Sequence, residues 1–151
     1  MRIGLQTLGR KSERGASLVE FTIAATVFLT VTFAVLEFGR ALWVYNALAD
    51  AARKGARYAV LHDAASIDDV KRMVVYGNIA GTGSPVVDNL STTNVEVTYP
   101  GFGLDKGTVN VSINNYTFNF VLPLVPVSIQ MPSPTTTLTG ESAGLTPTNL
   151  P

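Results

Sequence analysis

The stretch RGASLVEFTIAATVFLTVTFAVLEF, residues 14–38, sets an apolar run behind basic residues, with one carboxylate, Glu20, just inside it. Residues 21–36 are sixteen positions without a charge, and Leu18 and Val19 extend the run past Glu20. A spanning helix needs about 20 predominantly apolar residues, with a lower limit near 17. The segment crosses a bilayer once its ends are counted. A small soluble domain rarely devotes so continuous a run to one core helix. Burying an unpaired carboxylate is costly, so a plain anchor has no use for Glu20.

The rest of the chain sets the bounds around that segment. Its 151 residues allow one small domain plus an appended element. The formal net charge is zero and 46% of residues are hydrophobic, which speaks against a nucleic-acid surface. The balance hides a gradient. Residues 1–15 carry Arg2, Arg10, Lys11 and Arg14 against Glu13, a net of +3, and the remainder has seven basic and ten acidic residues, a net of −3. There is no cysteine, hence no disulfide and no thiolate metal site.

A membrane segment is either a cleaved signal or a retained anchor. Thr32-Phe33-Ala34 is a weak small-residue cleavage site, but the helical pattern runs on past it. Thr22, Thr26 and Thr30 fall on one helix face, where hydroxyls bond back to the preceding turn or to a neighbouring helix. A disposable signal would not need such a stripe, so retention is favoured. Arg10, Lys11 and Arg14 argue for a cytoplasmic N-terminus, with Arg40, Arg53, Lys54 and Arg57 counting against it.

Beyond Leu36 the helical pattern continues without proline to about His62. Phe38, Leu42, Tyr45, Leu48, Ala52, Ala56 and Ala59 recur at three- and four-residue steps and predict an amphipathic face. Ala47, Ala51, Gly55 and Ala59 form a second seam of small residues that admits another backbone, from the head or from a neighbouring subunit. Arg53, Lys54 and Arg57 read as a solvated face. One helix over residues 17–62 would be about 70 Å long at 1.5 Å per residue. Trp43 and Tyr45 suit either an interfacial anchor or a place under the head.

The residues GASLVEF, then Glu37-Phe38-Gly39-Arg40, then the segment AARKGAR at 51–57 resemble the TadE-like family, minor pilins or pseudopilins of the tight adherence (Flp-type) pilus system. The resemblance covers residues 15–61 and is weak beyond them. It implies a prepilin-type leader, residues 1–15, cut by a membrane prepilin peptidase after Gly15 to leave Ala16 as the new N-terminus. Glu20 then becomes the fifth residue, where pilin-like proteins keep their glutamate. A proline common in the family's apolar run is absent here. The spacing also has its own logic. Glycine before a scissile bond lets a protease approach the backbone. A carboxylate one turn from a freed amine can pair with it, or with that of an adjacent subunit, in a helical turn whose dipole favours an anion.

The remaining residues predict a small head, 63–131, with a tail from 132 to 151 rich in Thr, Ser, Pro and Gly and read as flexible. Ser66 and Asp69 look like a helix-start box, followed by Ile67, Val70, Met73 and Val74 at helical spacing. GTGSP, residues 81–85, is a turn; no Gly-Lys-Ser/Thr follows to make it a phosphate loop. Val95-Val97-Tyr99, Val109-Val111-Ile113 and Tyr116-Phe118-Phe120 alternate as strands. Asn114-Asn115 shifts the alternation, either as a two-residue hairpin turn pairing Ile113 with Tyr116 and Val111 with Phe118, or as a bulge in one strand. Residues 125–131 add an edge strand carrying Pro126.

The fold class expected is therefore α+β. A long N-terminal helix, transmembrane over 16–37 and amphipathic over 38–62, packs on an antiparallel-sheet head with one short helix. His62 with Asp63, Asp68 and Asp69 is a poor metal site, since a lone histidine at a helix end more often bonds a carbonyl. Asn89, Asn110 and Asn115 begin Asn-x-Ser/Thr triplets, meaningful only where glycosylation occurs. No cofactor and no catalytic constellation is implied. Three functions compete: a pilin-like structural subunit, a membrane-tethered extracytoplasmic binding module that does not polymerise, and a secreted enzyme. The first is favoured. Its implied partners are a prepilin peptidase, other pilin-like subunits, inner-membrane assembly proteins and the lipid bilayer, with the head outside a bacterial cytoplasmic membrane.

Overall fold

The computed structural model describes residues 9–62, 66–100, 107–121 and 127–140, with side chains from residue 15 onward. Helix α1, Gly9–Val60, is continuous and enters two compact units, one ending at Gly39 and one beginning at Arg40. It starts earlier than the expected residue 17, and no proline interrupts residues 9–17. Leu61 and His62 close it with a tight turn onto the carbonyls of Tyr58 and Ala59.

The first unit contains the apolar half of α1. Its large apolar side chains, among them Leu18, Phe21, Ile23, Phe28, Phe33 and Leu36, are exposed. Thr22, Thr26, Thr30 and Thr32 each donate to the carbonyl four residues earlier at 2.8 Å, which satisfies the hydroxyls within the helix itself.

The second unit holds the rest of α1 with α2 (Ile67–Tyr76), a 3-10 turn (Thr92–Asn94) and five strands: β1 (Val95–Thr98), β2 (Thr108–Ile113), β3 (Thr117–Asn119), β4 (Ser128–Gln130) and β5 (Thr135–Thr139). This is the α+β arrangement the sequence predicts. The core draws Ala41, Val44, Leu48, Ala51, Ala52, Ala56, Ala59 and Val60 from α1, Val70, Val74 and Val75 from α2, and Val109, Val111 and Ile113 from β2. Of the expected stripe, Leu48, Ala52, Ala56 and Ala59 are buried, but at its start Phe38, Leu42 and Tyr45 are exposed, and Ala41 and Val44 are buried instead.

Ser66, just before α2, makes no side-chain cap bond because its backbone is not extended (φ −92°, ψ 18°). Asp68 and Asp69 supply the anionic first turn instead, and Asp69 pairs with Arg72. The helix ends at Gly77, whose positive φ of 71° permits the closing bond to the Met73 carbonyl. The turn before residue 85 is tied by the Asn78 side chain, which donates to the carbonyls of Tyr76 and Thr82.

The strands form two antiparallel sheets, ordered β1-β2-β5 and β3-β4. Val95 opposes Ile113 and Val97 opposes Val111; on the other edge Val111 opposes Thr136 and Val109 opposes Leu138. Neither reading of Asn114-Asn115 holds. Both edges of β2 are taken, so the chain turns at Asn114-Asn115 into a second sheet, where Phe118 opposes Ile129. A type I′ hairpin turn requires positive φ at both residues, and only Asn115 has it (55°). Asn94 holds the corner: its amide donates to the carbonyls of Asn114 and Asn115, and its own carbonyl accepts from the Asn114 N–H at 2.7 Å.

The tail also differs from expectation. Residues 135–139 form β5, an ordered strand on β2, instead of a flexible segment. Its threonines are β-branched and suit a half-covered strand, a preference that overall polarity conceals. Residues 141–151, Asp63 and Pro126 lie outside the described residues.

Candidate functional site

The residues singled out in the sequence fall into two groups, one in each unit. In the first, Gly15, Ala16 and Glu20 are all exposed on α1. A Cβ placed on Gly15 would meet nothing within 4 Å, so no described side chain crowds that face of the helix. In this uncut chain the Ala16 nitrogen is an ordinary helical amide, and Glu20 follows it by one turn.

The second group is the small-residue seam. Ala51, Gly55 and Ala59 are buried and Ala47 is half-buried against the same core. Gly55 is the tightest point: a Cβ there would come within 2.3 Å of Val74 Cγ2, with Val111 at 3.6 Å and Val70 at 3.7 Å. At Gly55 the neighbours are α2 and β2 of its own chain. On the opposite face Arg53, Lys54 and Arg57 are exposed, and Lys54 pairs with Asp50 at 2.9 Å. The Lys54 hydrogen bond and charge hold the Asp50 carboxyl below its usual range.

Sequence reasoning missed two polar contacts. Arg40, last residue of Glu37-Phe38-Gly39-Arg40, donates to the Asn119 carbonyl and stacks over the Phe118 ring at 4.1 Å. A guanidinium soon after an apolar run was the available signal, since a charge beside apolar surface must find acceptors nearby. Tyr116 donates from its hydroxyl to the Asp88 carbonyl at 2.8 Å. Burial, and secondarily the Asp88 charge, push the Tyr116 phenol above its ordinary value, with Arg40 opposing.

His62 places Nδ1 2.8 Å from the Tyr58 carbonyl and stacks on the Tyr58 ring at 4.0 Å. Among the described residues no cluster of three metal-ligating side chains occurs. Asn89 and Asn115 sit on the surface with positive φ, while Asn110 is half-buried within β2.

The N-terminal half of α1 is long and apolar enough to cross a bilayer, and the chain also holds a small α+β unit; both fit a membrane-anchored protein. Residues 15–57 match the model of the TadE-like protein family, the one that the Gly15, Glu20, Glu37-Arg40 and Ala51-Arg57 motifs resemble. That family consists of structural pilus components and is not an enzyme family. No curated protein and no solved structure matches the chain significantly.

Proposed function

We propose that this protein is a minor pilin or pseudopilin, a membrane-anchored subunit taking part in assembly of a Tad/Flp-type pilus or a related secretion apparatus. The observation that carries this is the family match over residues 15–57, which falls entirely within α1 and includes its apolar half. A prepilin peptidase of the cytoplasmic membrane cuts after Gly15 and frees the Ala16 amine. Residues 16–37 stay in the inner membrane with the N-terminus cytoplasmic, and the α+β unit lies outside.

Glu20 serves assembly under this reading. It gains an ammonium partner only after cleavage, and that partner is its own Ala16 or the same group of an adjacent pilin-like subunit. The contacts around Gly55 support a packing role for Ala47, Ala51, Gly55 and Ala59 within the chain, which leaves assembly to the apolar half of α1. An acid this close to a helix end costs well under the roughly 3 kcal/mol of a charge at the bilayer centre, so insertion does not depend on Glu20. The near-isosteric Glu20→Gln chain is expected to insert and to be cut behind Gly15. It should then fail to cross-link or co-purify with other pilin-like subunits. Normal recruitment of the processed Glu20→Gln protein would remove the assembly role and leave a simple tether.

A further inference from the structure

The two outer edges of the β3-β4 sheet differ. Met131 donates its N–H to the Tyr116 carbonyl, Phe120 donates to the Val127 carbonyl, and Phe118 opposes Ile129. Val127, Ile129 and Met131 therefore turn their backbone groups toward β3, while Ser128 and Gln130 turn theirs away from it. On the outer edge of β3 the Arg40 guanidinium takes up the Asn119 carbonyl. On the outer edge of β4 the N–H and C=O of Ser128 and Gln130 bond to no backbone group among the described residues.

An open edge is a template for another strand, and proteins blunt such edges with charge, proline or a bulge. β4 carries none of these. No Asp, Glu, Lys, Arg or His occurs from Gly107 to Gly140, and the prolines at 126 and 132 stand just outside residues 127–131. Apolar side chains come to this edge: Val127 is 38% and Ile129 41% exposed, although Ile129 opposes the buried Phe118. Two strands are also marginal as a sheet by themselves. We propose that β4 pairs antiparallel with β4 of a second copy of this chain, giving a four-stranded sheet β3-β4-β4-β3 with a two-fold axis at Ile129. The occupant is a second copy because the segment is its own complement. In this register Ser128 exchanges both backbone hydrogen bonds with Gln130 of the second copy, and symmetry repeats the exchange. Ile129 meets its own mate and Val127 meets Met131 of the second copy, so apolar side chains cover one another. Ser128 and Gln130 share the other face. Arg40 blunts the β3 edge, so pairing closes at two copies. The contact is separate from recruitment through Glu20.

The pairing sets Ile129 and its mate at a non-hydrogen-bonded position, where Cα atoms lie about 4.5 Å apart, within disulfide reach. The chain has no cysteine, so Ile129→Cys is a single probe. The full chain, purified in mild detergent, is oxidised and run on a gel without reductant. Ile129→Cys should run mainly as a disulfide-linked dimer. Val86→Cys, at 40% exposure a comparably open site, should stay monomeric. Ser128→Pro removes an N–H that points away from β3. It should halve the sedimenting protein mass and leave the circular dichroism unchanged. If Ser128→Pro alters the fold, Ile129→Lys gives the same readout by setting two charges against each other across the axis. A chain monomeric at micromolar concentration, with no more disulfide at 129 than at 86, overturns the proposal. A dimer that survives both Ser128→Pro and Ile129→Lys overturns it too, because its contact lies elsewhere. Cross-linking of Ile129→Cys in membranes to a different protein alone would assign the edge to that protein and equally overturn it.

Discussion

At the scale of single residues, Arg40 and Tyr116 show how polar groups are accommodated in this small unit. Arg40 bridges α1 and β3 through a carbonyl and an aromatic face, and Tyr116 reaches the Asp88 backbone from the corner between the sheets. Removing the Tyr116 hydroxyl by Tyr116→Phe should cost about 1 kcal/mol at neutral pH, the net worth of a typical hydrogen bond. The same group sets an alkaline limit. Its phenol is raised in the folded state, so the neutral form is favoured there. That stabilisation is full below the ordinary tyrosine value near 10 and is lost as pH rises through the raised one. The thermal midpoint of the parent chain should fall at alkaline pH more steeply than that of Tyr116→Phe. Parallel pH curves would contradict the assignment.

At the scale of elements, α1 tests whether small residues are there for helix formation or for packing. Gly39 and Gly55 are in the same helix, yet a Cβ meets nothing at Gly39 and overlaps Val74 at Gly55. Alanine gains about 1 kcal/mol over glycine in a helix interior, whereas overpacking a core costs about 1–3 kcal/mol. Val74 is fully buried and β-branched, so it has little freedom to yield. Gly39→Ala should therefore raise the thermal midpoint measured by circular dichroism in detergent, and Gly55→Ala should lower it. Gly55→Leu should be worse, while Asp50→Leu on the exposed face should matter little. Shifts of the same sign at both glycines would remove the close-packed seam from the account.

The same elements show what the sequence disclosed. Long periodicity revealed α1, and short alternation revealed the positions of β1, β2 and β3, because both patterns repeat over several residues. The departure at the start of the α1 stripe did not show, since Ala41 carries no bulk to mark a buried side. Strand pairing was not legible either. The partner of β2 beyond β1 is β5, from a Thr-rich segment whose composition alone reads as loop. The corner at Asn114-Asn115 depends on Asn94, twenty residues away in sequence, a contact that no local turn rule contains. Of the candidate site, Gly15, Glu20 and the small-residue seam were visible as spacing, while the Arg40 contact required the fold.

At the scale of the whole molecule, α1 runs from an apolar half into a small α+β unit. The history proposed above is insertion, removal of a basic leader, then recruitment through the freed terminus and Glu20; the family match over residues 15–57 and an N-terminal helix apolar enough to span a membrane fit it. Processing is the step on which the rest depends. The most direct measurement is intact-mass and N-terminal peptide analysis of the chain isolated from membranes of cells that hold a prepilin peptidase, with Gly15→Leu alongside. The account predicts a mature chain beginning at Ala16 and a full-length, membrane-bound Gly15→Leu precursor. A membrane-borne chain that still begins at Met1 or Arg2, or a Gly15→Leu protein shortened to the same point, would contradict it.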